Sequence, residues 1–173
     1  MIDRAALQQI RATIGSATLV AVTKDRSAAD MLTLLAHSVT HIGENRLQEA
    51  EGKFAKLQGN PLFDRCTKHF IGHVQSSKAA KVAVLFDVVQ SLDSLRIAQK
   101  LSIAAQKLGK TLDVFLEVNA SHEPQKYGVL TPDALLLAAE VRKLPHLTLV
   151  GIMGMGPQAG EAEIRRCFRT LKQ

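Results

Sequence analysis

A lysine closes an apolar run near the start of the chain: Thr18-Leu19-Val20-Ala21-Val22-Thr23-Lys24 is too short for a helix and breaks directly after its charge. A Val- and Leu-rich run of this length reads as a fully buried strand. If the strand belongs to a parallel α/β barrel, its C-terminal end opens on the face where such barrels place their chemistry, and Lys24 is the first candidate nucleophile. A free lysine titrates near ~10.4, so a nucleophilic one needs burial or a neighbouring cation to release its amine at neutral pH. The same residue also reads as a charge marking where a buried strand meets water. The run alone leaves both readings open.

Other chemistry-bearing residues are less specific. His69 and His73 lie four apart, the spacing of a metal pair on a helix. Phe70-Ile71-Gly72 between them reads as strand, which separates them by about 13 Å and argues against a shared metal. His73 then reads either as a hydrogen-bonding site residue or as an ordinary loop histidine. Gly43-Glu44-Asn45 reads as a turn or as part of a site. Tyr127, the one tyrosine, sits in a polar loop beside Lys126 and Gly128 and reads as a surface turn. Met153 and Met155 read as core or lining. Cys66 and Cys167 are far apart, without CxxC spacing, and read as reduced thiols.

The positioning elements follow from hydrophobic period and punctuation. Leu7, Ile10 and Ile14 form one helical face over residues 3–14. Ser27-Ala28-Ala29-Asp30 resembles a capping box for a helix carrying Met31, Leu34 and Leu35. Val39–Gly43 is a strand, followed by a helical stripe of Leu47, Ala50, Phe54 and Leu57. Gln58–Pro61 reads as a loop, Lys68–Gly72 as a strand, and Val82 and Leu85 mark the next helix. Asp87–Ser91 is a strand, and Asp93 is the expected N-cap of a helix carrying Leu95, Ala98, Leu101, Ala105 and Leu108, ended by Gly109. Leu112–Val118 is a strand leading to a polar loop that runs to Gly128. Thr131-Pro132-Asp133 opens a helix with a stripe of Leu135, Ala138 and Val141. Leu147–Met153 is a strand, and Ile164, Phe168 and Leu171 mark the last helix.

Strand and helix alternating with short connections imply a parallel sheet. A doubly wound nucleotide fold calls for a glycine-rich loop after the first strand, and none follows Val22. A barrel puts a polar or functional residue at nearly every strand end, as Lys24, Asn45, His73, Ser91, Asn119 and Met153 are placed here. The expected fold is a single TIM-like parallel α/β barrel over residues 1–173, with about six βα units. Composition is globular, at 46% apolar and 22% charged. The formal charge of +6 arises from 22 basic residues dispersed among 16 acidic ones, and aromatics are 4%. That pattern fits phosphate-bearing small molecules better than nucleic acid. No apolar window reaches a membrane span, and Met1-Ile2-Asp3-Arg4 has no apolar leader core, so a cytoplasmic protein is expected.

In order and spacing these pieces resemble the pyridoxal-phosphate homeostasis proteins, single-domain relatives of the alanine racemase N-terminal barrel. The matching residues are Val20–Lys24, Gly43-Glu44-Asn45 with Gln48-Glu49, His69–Gly72 with Gln75, Ser76 and Lys78, Asn119 with Glu123, Lys126 and Gly128, and Leu149–Met153. The resemblance implies a barrel carrying pyridoxal 5'-phosphate as a Schiff base on Lys24, with Asn45, His73 and Met153 lining the ring. Ser91 and Asn119 join the expected cofactor contacts. It further implies a non-catalytic role in vitamin B6 and amino-acid homeostasis, and a monomer. The sequence departs from the family pattern at Asp25-Arg26, where a lysine-proline is usual, at Arg46, where tyrosine is usual, and at Ser77 and Gly154. The family pattern also continues for two further strand-helix units carrying phosphate contacts, so an incomplete barrel with open edge strands that favour self-association is expected. Two rivals remain: a pyridoxal-dependent enzyme of the alanine racemase type, which needs a second proton donor opposite Lys24, and a phosphosugar-type barrel enzyme needing no cofactor.

Overall fold

Short β-branched and leucine-rich runs alternate with amphipathic helical stretches, and the computed structural model builds six strands and eight helices from them over the described residues, 3–172. Met1 and Ile2, part of the stretch read above for a leader, lie outside the described residues. Backbone contacts divide the chain into two compact units, Met1–Phe70 and Ile71–Gln173.

The first unit contains α1 (Arg4–Ile14), β1 (Val20–Val22), α2 (Ala28–Ala36), β2 (His41–Glu44), α3 (Leu47–Leu57), α4 (Pro61–Asp64) and β3 (Thr67–Phe70). β1 pairs with β2 and β2 with β3, all parallel, with Val22 opposite Gly43 and Gly43 opposite His69. The Ser27/Asp30 capping box forms as expected, so α2 starts at a fixed point and buries Met31 and Leu35. Phe54 of α3 packs on Phe63 of α4, with ring centroids 5.1 Å apart. The stretch read as a plain loop at Gln58–Pro61 leads directly into α4, where Asn60 caps Leu62 N–H and Pro61 occupies the first turn.

One expectation here is corrected. The run Thr18–Lys24 is not a fully buried strand: β1 has three residues, Val22 is 48% exposed and Lys24 is exposed, while Thr23 alone is fully buried. The reason is pairing. Among the described residues β1 has a neighbour on one side only, so apolar content does not bring burial.

The second unit contains α5 (Ala79–Leu85), β4 (Val88–Leu92), α6 (Leu95–Lys107), β5 (Leu112–Glu117), α7 (Thr131–Val141), β6 (Leu147–Met153) and α8 (Glu161–Lys172). β4 pairs with β5 and β5 with β6, again parallel. Ala98, Leu101 and Ala105 of α6 are fully buried, as are Phe86, Val89, Leu92, Leu112 and Val114. Two expectations change. Ser94, not Asp93, is the N-cap of α6, because the Asp93 carboxylate lies against His73 instead. The inward face of α7 is Ala134, Leu137, Ala138 and Val141, while Leu135 is 82% exposed. Three consecutive leucines, Leu135–Leu137, leave the helical phase ambiguous, and packing selects the third.

These burials set a stability contrast. Phe86→Ala is expected to lower unfolding free energy by about 3–5 kcal/mol through lost transfer energy and a cavity, and Leu135→Ala to change it by less than about 0.5 kcal/mol. Urea unfolding of the two variants checks this; similar losses at both positions contradict the assigned core.

Candidate functional site

In the first unit the parallel register brings two predicted residues to equivalent positions. Val22 and Gly43 are opposite one another, and Lys24 and Asn45 each lie two residues beyond that pair. Lys24 stands in a tight turn closed by Arg26 N–H donating to Thr23 O at 3.2 Å, with Asp25 in the left-handed region at φ 58°. Aspartate is one of the few residues besides glycine that adopts this conformation, and the surroundings hold it there.

The support comes from a small charged network. Lys53 Nζ lies 2.5 Å from Glu44 Oε1 and donates to Glu49 Oε1 at 2.8 Å and to Thr23 O at 2.7 Å. Thr23 Oγ1 donates to Glu44 Oε1 at 2.6 Å, and Thr23 N–H to Gly43 O at 3.0 Å. Asp25 N–H donates to Glu49 Oε1 at 2.6 Å, and Arg46 Nη1 donates to Asp25 Oδ1 at 2.8 Å. Two departures from the family pattern, Asp25 and Arg46, therefore touch each other. The Lys53 hydrogen bond is the main cause that holds the Glu49 carboxyl below its ordinary value. Lys24 itself has no hydrogen-bond or ion-pair partner among the described residues. Asn45 Oδ1 and Glu44 Oε2 are buried there without a hydrogen bond. An accessible amine can react with a carbonyl, and an orphaned amide oxygen can accept from a ligand hydroxyl or N–H.

His69 is buried in β3, where its Nε2 lies 2.9 Å from His41 Nδ1. Among the described residues no group of three or more potential metal ligands is present.

In the second unit the other predicted residues lie before α5 and at or just beyond the ends of β4, β5 and β6. Ser91 Oγ donates to Gly72 O, and Asn119 Nδ2 donates to Glu123 O at 2.9 Å, so both hold backbone in place. The loop after β5 folds back on that strand: Val129 N–H donates to Glu117 O and Asn119 N–H to Val129 O. A Cβ at Gly128, whose φ is +110°, would lie 2.8 Å from Asn119 N, so glycine is required there. Lys126 Nζ donates to Glu123 Oε1 and Gly156 O, which ties this loop to the one after β6. Met153 ends β6, half-buried.

His73 Nδ1 lies 3.2 Å from Asp93 Oδ2, and its ring stacks on Tyr127 with centroids 4.0 Å apart and planes 12° apart. Tyr127 is a surface residue as read, 59% exposed, and stacks one ring face on His73. Sequence reading missed Glu117, although it precedes Asn119 by the two-residue strand period. Glu117 is 8% exposed and borders a cleft of about 240 Å³ with Asn119, Lys126, Tyr127 and Met155. Burial pushes its carboxyl up to about 7, and the Asp93 carboxylate adds to the rise.

A raised carboxyl destabilises the fold once it must ionise. At pH 4 Glu117 is protonated in both the folded and the unfolded chain; as pH rises from its ordinary 4.5 to about 7 the unfolded chain ionises first and stability falls, and above that the loss is complete. Glu117→Gln removes this effect, so the variant is expected to match wild type at pH 4 and to exceed it by about 3 kcal/mol at pH 8. Urea unfolding at the two pH values measures it; a difference that is the same at both contradicts the assignment.

Residues 4–173 match the family described as alanine racemase, N-terminal domain. The chain is 40% identical over 163 residues to the pyridoxal phosphate homeostasis protein of Pseudomonas aeruginosa, covering 94% of this chain and 68% of that protein. It is 34% identical over 156 residues to the protein of the same name from Escherichia coli K12, covering 90% and 65%. Among solved structures it resembles PipY of Synechococcus elongatus PCC7942 with PLP bound, at a TM-score of 0.88 and 30% identity, covering 97% of this chain and 77% of that one. Alanine racemase of Clostridium difficile 630 shares the fold at a TM-score of 0.76 and 15% identity, with 98% and 45% covered. The chain therefore spans about two thirds of the length of its curated relatives, and its six parallel β/α repeats are those of the pyridoxal-phosphate-binding barrels. This chain belongs to the alanine racemase N-terminal domain family, in the branch of the pyridoxal phosphate homeostasis proteins.

Proposed function

We propose that this protein binds pyridoxal 5'-phosphate covalently through Lys24 and holds it without turnover, as a cytoplasmic participant in vitamin B6 and amino-acid homeostasis. The observation that carries the reading is the state of Lys24: an exposed primary amine at a strand end, without a partner among the described residues, in a turn whose flanking residues are fixed. The names of its relatives and the PLP bound to PipY support the choice of cofactor. When bound, the cofactor supplies an aldehyde that is electrophilic toward primary amines.

The residues of this chain contribute separately. Lys24 provides the amine, and Asn45, at the equivalent position after the neighbouring strand, offers an unpaired amide oxygen. His73, held by Asp93 and stacked on Tyr127, offers a flat ring surface, and Met153 an apolar one. Ser91 and Asn119 act by fixing the backbone around the strand ends. A racemase-type reading draws on the acid–base groups of the second unit, Glu117, His73 and Tyr127; it requires exchange of an amino acid's α-proton with solvent, and a holder does not.

Incubation with pyridoxal phosphate, reduction with borohydride and peptide mass spectrometry are expected to place one pyridoxyl group on Lys24. Lys24→Ala should lose at least about nine tenths of the label. A label found mainly on Lys78 or Lys126, or unchanged in Lys24→Ala, overturns the assignment. Lys24-dependent α-proton exchange in deuterated water moves the racemase-type reading ahead.

A further inference from the structure

The charged network beneath Lys24 has a property that family membership does not supply. Three carboxylates surround the Lys24 turn in sequence and space: Asp25 follows it directly, Glu44 accepts from Thr23, and Glu49 accepts from Asp25 N–H. An unengaged carboxylate near a lysine pairs with it and favours its ammonium form, which is not nucleophilic. Here two cations engage all three carboxylates. Lys53 takes Glu44 at 2.5 Å and Glu49 at 2.8 Å, and Arg46 takes Asp25 at 2.8 Å.

We infer that Lys53 is a positioning residue for Lys24: its buried ammonium occupies the carboxylates that would otherwise capture the Lys24 amine, and it clamps the backbone on both sides of that residue. The clamp is direct on one side and relayed on the other. Lys53 donates to the carbonyl of Thr23, which belongs to the peptide entering Lys24, and to Glu49, which accepts from the N–H of Asp25 in the peptide leaving it. The Lys53 ammonium thus donates hydrogen bonds to Thr23 O and Glu49 Oε1 and pairs with Glu44 Oε1, and the Lys53 side chain is 8% exposed. Lysine fits this geometry because three donors diverge from one point. The inference rests on Lys24 being the reactive amine of the proposed function, but it concerns residues of this chain alone.

Its test needs no cofactor. Competitive labelling of the cofactor-free protein with acetic anhydride across pH, read by mass spectrometry, gives the pH profile of each lysine separately. In Lys53→Met the profile of Lys24 is expected to move to higher pH by about one unit, a roughly tenfold loss of reactive amine at a fixed pH below the midpoint. The profile of exposed Lys100 should stay in place, and Lys53→Arg should restore that of Lys24. A folded Lys53→Met protein in which the Lys24 profile stays put overturns the inference. If Lys53→Met does not fold, Glu49→Gln decides: it retains an oxygen for Asp25 N–H and Lys53 but removes one negative charge, so the Lys24 profile should move to lower pH, and an unmoved or raised profile overturns the inference. Failure of the protein to take up pyridoxal phosphate leaves these profiles unaffected, so the two readings fail separately.

Discussion

A single ammonium group, that of Lys53, lies nearly out of water between the end of β1, the end of β2 and the body of α3. Placing a charge there is unfavourable unless every donor finds an acceptor, and removing one partner of such a buried pair commonly costs about 3–5 kcal/mol. The first unit meets the condition with two carboxylates and a backbone carbonyl. Local order follows from it: Thr23 is fixed through its amide, hydroxyl and carbonyl, and Asp25 is kept in a left-handed conformation by bonds to its amide and its carboxylate. Between these two residues the Lys24 side chain is left without a bond among the described residues. A rigid frame around one free amine is a suitable arrangement for a group that must meet an aldehyde in a defined orientation.

The second unit is organised by a different constraint. Its strand ends carry groups that hold loops, such as Ser91 on Gly72 O, Asn119 on its own loop and Lys126 on Gly156 O. Glu117 is the exception, a buried carboxyl with a raised proton affinity facing a small cleft. Parallel pairing within each unit explains why the chemistry gathers at strand ends. Every strand runs the same way as its neighbour, so its C-terminal end meets the start of the following connection, where backbone groups and side chains are no longer committed to the ladder.

Much of this was legible in the sequence because a buried face repeating at the strand or helix period leaves a strong signature. Leu112–Leu116 and the stripe through Ala98, Leu101 and Ala105 mark a strand and a helix without ambiguity, and a lysine ending an apolar run marks Lys24. What stayed hidden depends on partners distant in the chain. The apolar content of Val20–Val22 does not reveal how many neighbours the strand has. Asp93 and Ser94 are both competent caps, and His73 decides between them. Lys53, which no local pattern singles out, gains its role only when Thr23, 30 residues earlier, is brought against it. Tyr127 is a surface residue whose stacking on His73 depends on a partner 54 positions away in the sequence and so leaves no local signal.

Lys24 is proposed as the amine that takes up pyridoxal phosphate. The most direct measurement is the visible absorption spectrum of the purified protein during titration with the cofactor at neutral pH. The account predicts a visible band that saturates at one equivalent per chain, well before free lysine at the same amine concentration responds. A band that rises without saturation, or reaches several equivalents per chain in proportion to the surface lysines, would contradict it.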